Sequence, residues 1–476
     1  MKPLALLITC VLLAAFLNAQ TTLTPLEKRT DSVAQKLFQL LNNRQTDSAY
    51  LLASQSFKNS LPYDRWVPLS ETKLYTLLPF TNLEFKGSKN GVSKYLLPKK
   101  SPLQILISID ANNKYRTFLI GAYEDDNAKK EELSATDNVN ISALDKTVDR
   151  LVGNYINTIG NVGVSVAVFY NGKDYYYNYG ETVKDNLQLP NQKTLYQIAS
   201  ITKTFTATLL AKAVVDKKVG LQDAITKYLP DSVAENPDLQ NITLQQLSNH
   251  SSGLPRLPAN FWLTGNNILQ PYENYDDNAL FAFLKQFKAI RKPGETYEYS
   301  NLAVGVLGVI LERIYKKPYE QLLLENIVEP LGLTHTKIVL NDIDRTMLSQ
   351  GYNEKDQTVP AWNFKSLAAC GALISCSEDL LQYGKQQLSE FRNPLSKYFK
   401  LTHQPTFNDK VHKVGLGWRF LIYETDEVLW HNGSTNGYKT VLCINKNKNI
   451  VVTVLTNNAT NGDALGAKLM QAIERL

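Results

Sequence analysis

Three groups of residues in this 476-residue chain have the types and spacing to do chemistry. The first is Ser200-Ile201-Thr202-Lys203, at the head of the run "FTATLLAKAVV". Residues three apart on a helix lie about 5–6 Å apart at Cβ, so the Lys203 amine reaches the Ser200 hydroxyl. A serine hydroxyl is a weak nucleophile and needs a base beside it. A helix start and burial both favour an uncharged lysine, which can take the serine's proton. Ser-x-x-Lys alone is weak, however, because the chain holds a second copy, Ser70-Glu71-Thr72-Lys73.

The second group is Tyr299-Ser300-Asn301, between a Pro-Gly turn and an apolar helical run. In an extended segment, residues two apart face the same way, so the phenol and the amide point together. The same pattern occurs at Tyr155-Asn157, Tyr176-Asn178 and Tyr272-Asn274, and only the setting singles out Tyr299. The third group is His431-Asn432-Gly433-Ser434, at the end of a strand-like segment. Of the five histidines, only His431 stands two before a glycine. Glycine there lets a ligand approach the backbone, and the next amide can face a developing oxyanion. A plain turn with an incidental histidine fits the same residues.

Positioning these groups requires a scaffold. Residues 24–123 read as a small α+β unit. The segment "PLEKRTDSVAQKLFQLLNN" places Val33, Leu37, Leu40 and Leu41 on one helical face, and two hairpin-like pairs of β-prone runs follow. Residues 124–140 are polar, lack an apolar period and read as a linker. Residues 141–476 open with a helix carrying Leu144, Val148 and Leu151, then a hairpin turning at Asn171-Gly172. A helical middle, a strand-rich end and a final helix follow. First hairpin and last strands are expected to form one antiparallel sheet covered by helices, an α+β fold.

Composition bounds the rest. At 43% hydrophobic, the chain has material for a large core and two to three domains. The net charge of +6 is spread, with no basic run longer than a pair such as Lys99-Lys100, which argues against a nucleic-acid partner. Residues 1–19 have the anatomy of a signal peptide, with Cys10 inside its apolar run. Cleavage after Ala19, export to the periplasm or medium, and no membrane anchor afterwards are expected. Cys370, Cys376 and Cys443 are not spaced as a zinc site. They are either small buried side chains or partners in a disulfide that export would permit. Neither Gly-x-Ser-x-Gly nor His-Glu-x-x-His occurs.

In this order, the three groups resemble the serine β-lactamase and penicillin-binding-protein superfamily. The resemblance is closest to its class C β-lactamase-related branch, which includes D-aminopeptidases, DD-carboxypeptidases and esterase-like serine hydrolases. It spans about residues 142 to 476 and includes "LQQLSNHSSGLP", "KPGETYEYSN", "EPLGLTHT", "AACGALISCSEDLLQY" and "GLGW". It implies a two-lobed domain, one lobe an antiparallel sheet flanked by helices and the other helical. Ser200 then matches the acylated nucleophile, Lys203 its partner, and Tyr299 the general base or proton shuttle. Asn301 matches the amide that contacts substrate and lysine, and His431 and Gly433 match the strand-edge triad. The backbone N–H groups of Ser200 and Ser434 match the oxyanion hole. Neither a metal nor an organic cofactor is implied. The partner would be a small-molecule or peptide substrate: an ester, a D-amino-acid amide or a cell-wall peptide. His250 falls in a shared segment and reads as structural.

The departure is His431, where lysine is usual in the β-lactamases and peptidases. A histidine of ordinary pKa, about 6.5, is mostly neutral at pH 7.5 and attracts a carboxylate weakly. Weak or no β-lactamase activity follows, with a KM for carboxylate substrates that rises through about pH 6.5. A cation from elsewhere, such as Lys439, would offset this. The rival readings are a catalytically silent cell-wall peptide binder and a true β-lactamase. Ser70 has none of the companion segments and reads as coincidence. The N-terminal unit weakly resembles accessory domains beside such hydrolases, with binding, dimerisation or covering the site as its possible roles. Lys94, Lys99 and Lys100 read as a solvated face.

Overall fold

The apolar stripe of residues 25–42 forms helix α1 (Pro25–Asn42). Thr24 caps it: its side chain accepts from the Glu27 N–H while the Glu27 carboxylate accepts from the Thr24 N–H. The structure, a computed structural model, describes residues 23–99, 102–123, 135–159, 162–388, 393–423, 426–460 and 462–476. The expected signal segment 1–19 lies outside them. The chain divides into two compact units, residues 1–127 and 128–476.

In the first unit, α1 is followed by α2 (Thr46–Leu51), α3 (Gln55–Ser60) and α4 (Tyr63–Thr72). Four antiparallel strands come next: β1 (Glu84–Lys89), β2 (Val92–Leu97), β3 (Leu103–Ile109) and β4 (Tyr115–Ala122), paired in chain order. Leu37, Phe38, Trp66, Tyr95, Ile105, Ile107 and Tyr115 form its core.

The second unit starts within the stretch read as linker. Asp137 accepts from both the backbone and the side-chain amide of Asn178, at 2.7 Å each, and the Asn138 amide donates to the Tyr179 hydroxyl at 2.6 Å. The described part of that stretch, residues 135–140, therefore belongs to the second unit. Polar side chains fasten it, which is why the lack of an apolar period hid it.

Helix α5 (Ala143–Ile159) leads into the hairpin β5 (Val164–Tyr170) and β6 (Lys173–Tyr179). Strand β7 (Tyr196–Gln197) precedes the long helix α6 (Thr202–Val215), and α7 (Asn301–Tyr315) lies in the helical middle. Strand β8 (Ile374–Ser375) and helix α8 (Ser377–Lys385) precede β9 (Phe407–Asn408) and β10 (Lys413–Val414). Then come β11 (Arg419–Tyr423), β12 (Asp426–Ser434), β13 (Lys439–Asn445), β14 (Ile450–Thr456) and α9 (Gly462–Ile473).

Eight strands form one antiparallel sheet in the order β9-β10-β11-β12-β13-β14-β5-β6, so first hairpin and last strands do join. Side-chain alternation divides the sheet between two cores. Val441, Val452 and Val454 face α5 and α9, packing with Val148, Val152 and Leu469. Leu442, Val451 and Leu455 face the helical side, packing with Phe205, Leu307 and Tyr383. All seven residues of β14 are buried, and its five apolar side chains divide between the two cores. Helix α6 is buried nearly all round, which makes it the central helix of that second core.

Candidate active site

Ser200 owes its place to a sharp turn. Strand β7 pairs with β8, and the chain then bends at Ala199, whose φ of +46° is left-handed. A non-glycine residue held there costs on the order of 1–3 kcal/mol and persists only where the surroundings enforce it. Ser200 lies on a 3₁₀ turn, Ala199–Ile201, that runs into α6, rather than on the α-helix itself. The spacing still works: Lys203 Nζ lies 3.0 Å from Ser200 Oγ. Lys203 is 1% exposed, and its amine also donates to the Cys370 carbonyl at 2.6 Å. That carbonyl ends a 3₁₀ turn, Ala368–Cys370, lying against α7. A Cβ on Gly308 of α7 would come within 2.3 Å of Ala369 Cβ, so the close approach needs a bare backbone. Its two hydrogen bonds, to the Cys370 carbonyl and to Ser200 Oγ, fix the Lys203 amine beside the serine.

Tyr299 is fixed by its neighbours rather than by its own bonds. The His250 carbonyl accepts from the Glu298 N–H at 2.7 Å, and His250 Nδ1 accepts from the Ser300 N–H at 3.2 Å. His250 thus brackets Tyr299 on both sides, and its ring lies 4.4 Å from the tyrosine ring. The structural reading of His250 missed this closeness. Ser300 caps α7 by accepting from the Ala303 N–H and donates to the Pro255 carbonyl. Asn301, the first residue of α7, donates its amide to the Tyr272 hydroxyl at 2.8 Å. Its Oδ1 is buried without a partner among the described residues. Lys203 takes no bond from it there. Tyr272, which stacks on Phe364 at 4.5 Å, thus holds the amide nitrogen, and the oxygen is the atom left for a donor from lysine or substrate.

The third wall is the edge of β12. Thr435 N–H donates to the Tyr438 carbonyl, so that pair is hydrogen-bonded and the next, Ser434 with Lys439, is not. The Ser434 N–H therefore points away from β13. Strand β11 covers that outer edge only as far as Trp430, paired with Arg419, which leaves the Ser434 N–H open. Ser434 is exposed at the strand end. A Cβ on Gly433 would meet the Ile198 carbonyl at 2.1 Å, and Thr440 Oγ1 donates to that same carbonyl at 3.0 Å. The strand edge is thus clamped onto the turn that carries Ser200.

The charges differ most from the sequence reading. Lys203, Arg419 and Arg256 place their cationic centres 4.9, 4.7 and 5.3 Å from the centre of the Tyr299 ring. No carboxylate pairs with either arginine among the described residues. Arg419 arrives from β11, the strand beside His431, and so sets a cation near the Tyr299 ring, a role for which the sequence offers Lys439. His431 is 1% exposed, and its Nδ1 lies 2.8 Å from the Asn432 carbonyl, to which it donates. Burial, then the Arg419 and Lys203 charges, hold its pKa well below 6.5. The expected titration near 6.5 is therefore corrected: His431 stays neutral, with the unpartnered Nε2 as an acceptor. His250 is held neutral the same way, by burial and then Lys203.

The second Ser-x-x-Lys copy is arranged otherwise. Ser70 is fully buried, and its hydroxyl donates to the Trp66 carbonyl at 2.8 Å. Cys370, Cys376 and Cys443 are free and buried, the first of the two alternatives. His335, Cys376 and Asp379 lie close enough to hold a cation. Asp379 already accepts from the His335 N–H and the Thr336 hydroxyl, so the group serves as a local tie.

The family model described as Beta-lactamase matches residues 148–474. A beta-lactamase of Pseudomonas fluorescens is 29% identical over 263 residues, which is 55% of this chain and 70% of that protein. A beta-lactamase of Providencia stuartii is 31% identical over 223 residues, 46% of this chain and 54% of that protein. The solved structure of a beta-lactamase/D-alanine carboxypeptidase from Pseudomonas syringae has a TM-score of 0.63 at 24% identity. It covers 70% of this chain and 99% of that one, and it shares the fold.

Proposed function

The chain belongs to the beta-lactamase family and is a serine hydrolase; on that premise we propose that it is exported and acts on an ester or amide through an acyl-enzyme at Ser200. The observation that carries this reading is the 3.0 Å separation of Lys203 Nζ from Ser200 Oγ on a turn clamped against the β12 edge. Ser200 Oγ attacks the substrate carbonyl as its proton passes to the Lys203–Tyr299 pair. The oxyanion is met by the N–H groups of Ser200 and Ser434. The proton then goes to the leaving alcohol or amine as the carbonyl–heteroatom bond breaks. Water, deprotonated by the same pair, releases the acid and restores the serine. The signal-like residues 1–19 motivate export.

Arg419 favours a second reading, a true β-lactamase, because it returns a permanent cation to the place where His431 carries none. One panel separates them. A fluorophosphonate adduct on Ser200, with turnover of a nitrophenyl ester or a D-amino-acid anilide and little of a chromogenic cephalosporin, is expected. Rapid cephalosporin turnover would favour the second reading. Absence of any Ser200 adduct would leave the silent binder.

A further inference from the structure

Far from Ser200 in sequence, the first unit contains an apolar cavity of about 500 Å³. Trp66, Leu69, Leu74 and Leu77 line one side, and Phe118 and Ile120 of β4 line another. Leu69 is 44% exposed, so the cavity is a groove open to solvent. Two cations, Lys73 and Arg116, belong to its lining, and no carboxylate does. Among the described residues Arg116 donates from its Nε alone, to Ser108 Oγ at 3.2 Å. The Lys73 ammonium has no ion-pair or hydrogen-bond partner among the described residues.

Strand β4 is at one edge of its sheet. The Tyr123 N–H donates to the Pro102 carbonyl, so that pair is hydrogen-bonded. Alternation along the β3–β4 register then turns Gly121, Leu119 and Thr117 toward β3. The N–H and C=O groups of Phe118 and Ile120 face outward. The segment at Ala53 bridges the edge at Tyr115, and among the described residues nothing pairs with it at Phe118 or Ile120. An open edge beside apolar surface is a liability that proteins usually blunt.

We propose that this groove binds an extended peptide with apolar side chains and a carboxylate, which adds as a strand to β4 while Lys73 and Arg116 take its charge. A fatty acid would fill the apolar floor and meet the cations, but it would leave the Phe118 and Ile120 backbone groups unmet. A peptide satisfies all three features. Two outward residues on the edge correspond to a bound segment of roughly four residues at about 3.3 Å each.

The test uses the full chain and a set of fluorescein-labelled pentapeptides with Val, Leu or Phe at alternate positions and a free terminal carboxylate. Binding is read by anisotropy, and hydrogen exchange is followed over residues 115–122. At least one peptide is expected to bind and slow exchange there. Lys73→Glu with Arg116→Glu, or amidation of the peptide, is expected to weaken it about tenfold or more, the scale of a lost charge-assisted bond. Methylation of alternate peptide nitrogens should abolish binding. Hydrogen exchange over the core strand β3, residues 103–109, should be unchanged in the double variant without peptide, which shows that the first unit is folded. No protection by any peptide, or equal binding of the N-methylated form, would overturn the proposal. Binding of dodecanoate that no peptide competes for would overturn it in favour of a lipid site.

Discussion

The guanidinium carbon of Arg419 lies 4.7 Å from the centre of the Tyr299 ring, on the strand next to His431. A cation near a tyrosine face is attracted to it, and Arg419 also lies over Trp430 at 5.5 Å. Its planar group is therefore held by two rings, and among the described residues no carboxylate pairs with it. An anionic substrate group entering beside Tyr299 meets this arginine, with Arg256 near the same ring.

Arg419→Gln should accordingly raise KM for carboxylate-bearing substrates about tenfold, while kcat/KM for a neutral ester changes little. The scale is that of a charge-assisted hydrogen bond. Since arginine does not titrate and His431 is held neutral, KM for carboxylate substrates should stay flat between pH 5.5 and 8. Steady-state kinetics over that range check it. A step near pH 6.5 that disappears in His431→Ala would instead restore the histidine as the titrating group.

Ser200→Ala should abolish covalent labelling by a fluorophosphonate, and Ser70→Ala should leave it intact. The two serines share a motif but not an environment, because the Ser70 hydroxyl is buried against its own helix. Mass spectrometry of the labelled peptide decides, and an adduct on Ser70 would refute the assignment.

Lys203→Ala and Tyr299→Phe should each slow acylation by roughly 10² or more, the usual scale for a positioned acid–base group. The double variant should be little worse than either single one, because one proton path serves both. Lys203 Nζ lies 4.9 Å from the centre of the Tyr299 ring, so the two groups share one site. Pre-steady-state acylation rates are the measurement. Independent, multiplying losses would mean separate roles.

Ser200 and Lys203 were legible because their chemistry sits one helical turn apart, and local spacing survives folding. The apolar runs of β13 and β14 were legible as a sheet for the same reason. The Cys370 carbonyl, 167 residues from the lysine it holds, carries no side-chain signal at all. Tyr272 meets Asn301 from 29 residues upstream through the packing of a loop. Arg419 follows "GLGW" by one residue, yet only strand register places it beside His431. The left-handed Ala199 also escaped, because alanine is not a residue type that advertises positive φ.

Acid should weaken the fold before its carboxylates titrate. His250 and His431 are buried with pKa values well below 6.5, and burial lowers His403 to about 3. Above the unfolded value, about 6.5, all three are neutral in both states and cost nothing. Below it, the unfolded chain takes up protons that the folded chain refuses, so stability falls as pH falls. One pH unit below 6.5, each contributes about 1.4 kcal/mol of loss. Thermal melts should therefore show Tm dropping between pH 7 and 5.5. His403→Gln removes one of the three protons: its ring is bonded to Gln387 at 2.9 Å, so it lies outside the proposed catalytic group. That variant should lose part of the slope while keeping Ser200 labelling at pH 7.5. A Tm that is flat over this range, or a slope unchanged in His403→Gln, would show that these histidines accept protons in the folded protein.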